Sequence, residues 1–138
     1  MTVPSTIDAA GWLGKFLEAG DADVDLPRAM LQAFADAYRR WPSGTYLMWY
    51  PIRSATQRRL VHARFEALRI PKMLYADLAV HPDDAGVGLA GSGLVVVNPP
   101  YGTDDFLQQA YEVIHGAVAA AGAGYVEVAR LTPEVMAK

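Results

Sequence analysis

A chain of 138 residues, 52% hydrophobic and 20% charged, with three Trp and seven Tyr, has the size and composition of one globular domain able to build a core. The lack of cysteine excludes a disulfide framework and a thiolate metal site, and a net charge of −3 excludes broad electrostatic capture of nucleic acid. No stretch approaches about 18 uninterrupted apolar residues. The N-terminus lacks a basic start followed by an apolar run, so no membrane span or signal peptide is expected and a cytoplasmic, bacterial-type protein is the default.

In chain order, Ser5 to Glu18 is predicted as a short helix: Ser5 and Asp8 resemble a capping box, and Trp12, Leu13, Phe16 and Leu17 recur at helical spacing. Gly20 to Asp25 is an acidic turn, and Asp25 caps a second helix with Pro27 in its first turn. Met30, Leu31, Phe34, Tyr38 and Trp41 form its apolar stripe, and Pro42-Ser43-Gly44 stops it. Thr45 to Tyr50 reads as a strand buried on both faces of a parallel sheet and ended by Pro51. Ser54 caps a third helix with Leu60, Val61, Phe65 and Leu68 inward, broken at Ile70-Pro71. Lys72 to Val80 is a strand, His81 to Ser92 a loop and Leu94 to Asn98 a strand. Thr103 caps a helix carrying Phe106, Leu107, Ala110, Tyr111, Ile114 and Val118. The Ala-Gly run from Ala119 to Gly124 is a flexible turn, and Tyr125 to Leu131 is a last strand. The alternation predicts one α/β domain over residues 1–138: a small mixed sheet with flanking helices and at least one parallel crossover.

The charge is uneven. Arg53 to Lys72 holds five Arg, one Lys and one Glu, a local balance of +5 against −8 for the rest. Arg53, Arg58 and Arg59 are therefore candidate nucleic-acid contacts, or else part of a solvated helix face.

The string Asn98-Pro99-Pro100-Tyr101 follows the apolar run Leu94 to Val97. An Asn or Asp followed by Pro-Pro and an aromatic marks enzymes that methylate exocyclic amines on bases. The side-chain oxygen and a proline-presented carbonyl accept the two amine hydrogens, and the aromatic stacks on a base that has left its helix. Ligands of α/β sheets also gather at the carboxyl ends of strands. The structural reading is a strand stop at Pro-Pro and an Asn that caps a turn.

Several segments together resemble one family: Arg39 to Tyr46, Trp49 to Ile52, Ala76 to Val80, Gly91 to Pro100 and Thr132-Pro133-Glu134. In this order and spacing, over roughly Asp25 to Glu134, the chain resembles the C-terminal half of the RlmJ-type bacterial 23S rRNA adenine-N6 methyltransferases. The resemblance implies a partial Rossmann-like fold of the class I methyltransferase type, S-adenosylmethionine as cofactor and 23S rRNA as partner. It also implies that the donor site and the main Asp-Pro-Pro-aromatic motif belong to an N-terminal half. Where that motif is expected, the chain has Gly14-Lys15-Phe16-Leu17-Glu18-Ala19-Gly20, and residues 1–24 form a divergent N-terminal segment. In the family the string matched by Asn98 to Tyr101 is a later element. The catalytic residues are thus unassigned, and Asn98, Pro99, Pro100 and Tyr101 are substrate-side candidates.

A donor loop needs glycines between a strand and the helix after it. Gly86-Val87-Gly88 and Gly91-Ser92-Gly93 precede a strand, and Gly122-Ala123-Gly124 leads from helix to strand, so none has that context. Trp49 and Tyr50 either present an aromatic toward a base or pack in the core. His62, His81 and His115 lack ligand spacing, so no metal is expected, and His62 is expected to be exposed on its Arg-rich helix. No Gly-x-Ser-x-Gly elbow occurs, Asp83-Asp84 reads as solvated loop, and Asp104-Asp105 suits a helix's first turn.

The expected function is therefore that of an RlmJ-type methyltransferase, inactive alone. The alternative is a non-catalytic RNA-binding or protein-interaction module using the Arg53–Lys72 patch. Half a doubly wound sheet leaves an edge and a face uncovered, so self-association or pairing with a donor-binding half is also expected.

Overall fold

The order of the strands fixes where every candidate residue lies. The computed structural model describes residues 28–82, 88–120 and 122–136; the expected helix around Trp12 and Phe16, the Asp25 cap and Asp83-Asp84 lie outside them. The described residues form α1 (Arg28–Arg40), β1 (Tyr46–Ile52), α2 (Ala55–Glu66), β2 (Met73–Ala79), β3 (Gly91–Val97), α3 (Thr103–Val118) and β4 (Tyr125–Arg130). The four strands form one sheet in the order β1-β3-β2-β4.

The α/β class and flanking helices are as expected. All three ladders are antiparallel, because the β2–β3 hairpin lays β3 in the gap between β1 and β2. The parallel crossover survives in strand direction: β1 and β2 run the same way, with β3 between them.

This corrects the reading of the first strand as buried on both faces of a parallel sheet. β1 is an edge strand, and Leu47 is 61% exposed. Pro51 does not end β1 but lies inside it, opposite Ser92. An edge strand tolerates a proline because one side of its backbone has no ladder to donate to.

The core lies on one face. α1 contributes Met30, Leu31 and Phe34, α2 contributes Val61 and Phe65, and the sheet contributes Met48, Tyr50, Ile52, Met73, Tyr75, Val95 and Val97. Alternate residues of β1 and β3 point to this face, as the two-residue strand period requires. The Phe34 and Phe65 rings meet edge to face, with centroids 5.6 Å apart. Ser54 caps α2 as expected: its Oγ accepts from the Gln57 amide at 3.1 Å.

α3 packs on β2 and β4. None of its residues is fully buried, and of the apolar residues it carries Phe106, Ile114 and Val118 are exposed. Its cap also differs. Gly102, at φ 85°, occupies the cap position and Thr103 begins the helix. The Thr103 hydroxyl donates to the Pro100 carbonyl at 2.7 Å instead of accepting from the helix.

Candidate functional site

Asn98 leaves β3 in the left-handed conformation, φ 52°, which an Asn adopts more readily than most side chains. Its Nδ2 donates to the carbonyls of Pro42 at 2.7 Å and Gly44 at 2.8 Å. Its backbone N–H donates to Lys72 O at 3.0 Å, and its own carbonyl accepts from Thr45 Oγ1 at 3.0 Å. Thr132 adds a second set of ties: its hydroxyl donates to Ile70 O at 2.7 Å and accepts from the Met73 amide at 2.9 Å. Lys72, itself at φ 57°, donates its amide to Pro133 O at 2.8 Å. Segments far apart in sequence, Pro42–Thr45, Ile70–Met73, Asn98 and Thr132–Pro133, thus share one hydrogen-bonded platform.

β3 sets which end of the sheet this is. Val97 stands opposite Tyr46 in β1 and Met73 in β2, so Asn98 to Tyr101 lie at the amino ends of those strands. The string does follow a strand's carboxyl end, that of β3, but β3 is antiparallel to both neighbours, so this is their amino end. Pro99, Pro100 and Tyr101 line an open cleft of about 260 Å³ with Leu74, Asp104 and Arg130. A neighbouring hollow of about 180 Å³ lies among Lys72, Asn98, Arg130 and Glu134. Tyr101 is fully exposed.

A second polar cluster lies between α2 and the sheet. The fully buried Asp77 accepts from Arg58 Nε at 2.6 Å and from the Tyr50 hydroxyl. His62 Nε2 is 3.0 Å from both Asp77 Oδ2 and the Tyr50 oxygen. Arg58 also reaches Glu127 Oε2 at 2.6 Å, and the Tyr75 hydroxyl donates to Glu127 Oε1 at 2.5 Å. The Arg58 guanidinium lies 4.8 Å from the Tyr125 ring centre. Gly93 makes room for this: a Cβ there would lie 2.2 Å from Asp77 Oδ1 and 2.3 Å from the Tyr50 ring.

The electrostatics follow the burial. Tyr50 is held far above its ordinary pKa by burial and by Asp77. Tyr75 is pushed up to about 12 by burial and its bond to Glu127. Burial opposes the Arg58 charge, but its bonds to Glu127 and Asp77 outweigh that and raise its pKa. Glu127 is lowered by its bonds to Tyr75 and Arg58. Tyr111 on α3 is raised by burial and by the Asp77 charge.

These contacts redistribute the sequence candidates. Arg58 is committed to Asp77 and Glu127. Arg59 is exposed on α2, and Arg53 is half-buried at the β1–α2 turn. His62, expected to be exposed, is instead wedged between Tyr50 and Tyr75 because Asp77 below it supplies a partner. Tyr50 is fully buried, and Trp49 is partly buried against the core. The structure brings Asn98 to Tyr101 together at one end and Tyr50 with Arg58 under α2, as two separate groups. Asp77 and Glu127 escaped the sequence reading. A lone Asp inside the apolar strand Met73–Ala79 was the available signal, since a buried carboxylate requires a partner. Among the described residues no group of three or more His, Asp or Glu is placed to hold a metal ion.

No donor cradle is formed at the described strand-to-helix turns. At the β1–α2 turn Gln57 fills the space, its Oε1 accepting from Arg53 N at 2.9 Å and its Nε2 donating to Pro51 O at 2.8 Å. The β3–α3 turn carries one glycine, Gly102. Neither turn offers a glycine-rich loop between a strand and the helix after it.

The α/β fold is shared with a crystal structure of a Legionella pneumophila protein, LPL1258, at a TM-score of 0.64 and 21% identity. The match covers 73% of this chain and 37% of that one. Residues 22–132 match the family model described as "Ribosomal RNA large subunit methyltransferase D, RlmJ", and the chain belongs to that family. It is 33% identical over 108 residues to the ribosomal RNA large subunit methyltransferase J of Escherichia coli, and 33% over 112 residues to that of Haemophilus influenzae. These matches take in 78% and 81% of this chain but 38% and 39% of the relatives, so the chain spans well under half their length. Among the described residues no helix is long and apolar enough to cross a membrane.

Proposed function

We propose that this chain is the substrate-side half of an S-adenosylmethionine-dependent adenine-N6 methyltransferase of 23S rRNA, and that alone it neither binds the donor nor transfers a methyl group. The observation that carries this reading is the family match over residues 22–132 combined with its reach of 38–39% of the relatives. The filled β1–α2 turn supports it, since a donor site would have to be built from other residues. The methyl group, when the donor is present, comes from S-adenosylmethionine. The part that falls to this chain is scaffold and substrate contact: Asn98 fixes the turn that presents Pro99, Pro100 and Tyr101.

The test is a graft. Residues 22–132 replace the matched segment of the Escherichia coli relative, and adenine methylation of 23S rRNA is measured by mass spectrometry in a strain lacking the native enzyme. Restored methylation is expected, and the isolated 138-residue chain should give no heat of binding with S-adenosylmethionine. A folded but inactive graft, or tight donor binding by the chain alone, overturns the reading.

The second reading, a non-catalytic module acting through the Arg53–Lys72 patch, draws on the exposed Arg59 and Arg64 of α2. RNA binding abolished by Arg59→Gln with Arg64→Gln, in a chain whose graft stays inactive, would favour it.

A further inference from the structure

The amino end of the sheet combines features that the family match does not explain. Two aromatic side chains stand exposed there, Trp41 at the end of α1 and Tyr101 after the Pro-Pro turn. Neither loop is loose. Gly44 N and Tyr46 Oη both donate to Trp41 O, and Asn98 Nδ2 ties the next residue, Pro42, to the strand end that leads into Tyr101. Exposed cations surround them: Arg39 and Arg40 at the end of α1, Lys72 before β2 and Arg130 at the end of β4. Lys72 and Arg130 share a single carboxylate, Glu134, at 3.8 Å and 3.0 Å. Asp104 and Asp105 line the α3 side of the same cleft, which confines a phosphate track to the Lys72–Arg130 side.

Aromatic rings on rigid turns with cations between them suit unpaired RNA. Bases stack on the rings whatever their identity, and phosphates take the cations. A protein partner is less well matched, since the cleft carries the charged Asp104, Asp105 and Arg130, and beyond the Pro-Pro turn its one aliphatic side chain is Leu74.

We infer that this end of the sheet is an RNA anchor: Tyr101 stacks on an unpaired base, Trp41 provides a second stacking surface, and Arg130 with Lys72 grips the backbone while Glu134 competes with it. The anchor lies away from the carboxyl ends of β1 and β2. The inference rests on the rRNA-substrate reading but is separable from it, because binding is measured without methyl transfer.

The experiment titrates the full 138-residue chain into a fluorescein-labelled 12-nucleotide single-stranded RNA of mixed sequence, followed by anisotropy at several salt concentrations. Tyr101→Ala should weaken binding roughly tenfold while Tyr101→Trp preserves it. Arg130→Gln should weaken binding and lower the log–log salt slope by about one phosphate contact. Glu134→Gln should tighten binding severalfold. Tyr101 is fully exposed, so its replacements leave the fold intact, which circular dichroism verifies. An unchanged affinity in Tyr101→Ala and Arg130→Gln, or no RNA binding by the wild-type chain, overturns the anchor. An active graft alongside unchanged binding would remove the anchor and leave the family reading standing. Tyr101-dependent binding alongside an inactive graft would do the reverse.

Discussion

Arg58 Nε lies 2.6 Å from Asp77 Oδ2, and the two side chains are 17% and 0% exposed. The pair joins α2 to β2 beneath the helix and extends through Glu127 to β4. A buried pair is weak evidence of net stabilisation, since desolvation offsets most of the attraction, but removing one partner strands the other. Arg58→Ala should therefore cost about 3–5 kcal/mol in urea unfolding, far beyond a typical surface arginine. Arg59→Ala, one residue on and exposed, should stay within about 0.5 kcal/mol. Equal costs for the two would contradict the assignment of Arg58 to the interior.

Gly93 faces the same cluster. A Cβ at this position would sit 2.2 Å from Asp77 Oδ1 and 2.3 Å from the Tyr50 ring. Both neighbours are fully buried and have no room to yield. Gly93→Ala should cost at least about 1–3 kcal/mol through overpacking. Gly116 on α3 is the control: nothing lies within 4 Å of its Cβ position, so Gly116→Ala should stabilise by about 1 kcal/mol through helix propensity.

Asn98 separates a backbone role from a side-chain role. Asn98→Gly keeps the positive φ and loses the two Nδ2 bonds to Pro42 and Gly44. Asn98→Ala loses the bonds and strains the backbone, so it should be the less stable variant, by about 1 kcal/mol. Asn98→Asp turns a carboxylate toward two carbonyl oxygens and should be worse than Gly. Thermal unfolding of the three variants gives the order. If Asp matched Asn in stability, the Nδ2 contacts would be irrelevant to the fold.

Much of this architecture was legible from the residues. The helical spacing of Met30, Leu31 and Phe34, the Ser54 cap and the stop at Pro42 each rest on local chemistry, and local chemistry is what a sequence displays. The strand pairing was not legible. Whether β3 returns on the far side of β2 or slips between β1 and β2 depends on long-range packing, and that choice replaced a parallel β1–β2 ladder with two antiparallel ones. Arg58 shows the same limit. Its neighbours Arg53 and Arg59 made it look like part of a basic face, and only the fold brings Asp77, 19 residues on, and Glu127, 69 residues on, within 2.6 Å of it.

Self-association is expected from two uncovered surfaces. Among the described residues no strand pairs with the outer edge of β1, where Leu47 is exposed, and α3 turns Phe106, Val113 and Val118 to solvent. Unpaired strand edges and apolar helix faces both favour association. Light scattering across a concentration series should show a mass rising above 14.9 kDa, and Leu47→Lys with Val113→Glu should reduce it. A single monomeric species at high concentration would count against this.

The pH dependence follows from Glu127 and Tyr75. Glu127 has a folded pKa below its ordinary 4.5, because the Tyr75 hydroxyl and Arg58 both bond its charged form. The unfolded chain therefore binds more protons as pH falls through this range. Stability is fully present above about 4.5 and is lost progressively as pH drops toward the lower folded value. Tyr75 has the opposite sign. Its pKa rises from 10.0 to about 12, so its contribution is complete below 10 and is lost as pH climbs toward 12. Glu127→Gln removes the acid-limb contribution and weakens the alkaline one, since the glutamine carbonyl still accepts from Tyr75 without a charge. Urea midpoints from pH 3 to 11 should thus show a shallower acid slope for Glu127→Gln than for the wild type. Tyr75→Phe should make the alkaline limb shallower while Tyr50 and Tyr111, also raised, keep part of it, and should soften the acid limb by removing one of the two donors that hold Glu127 ionised.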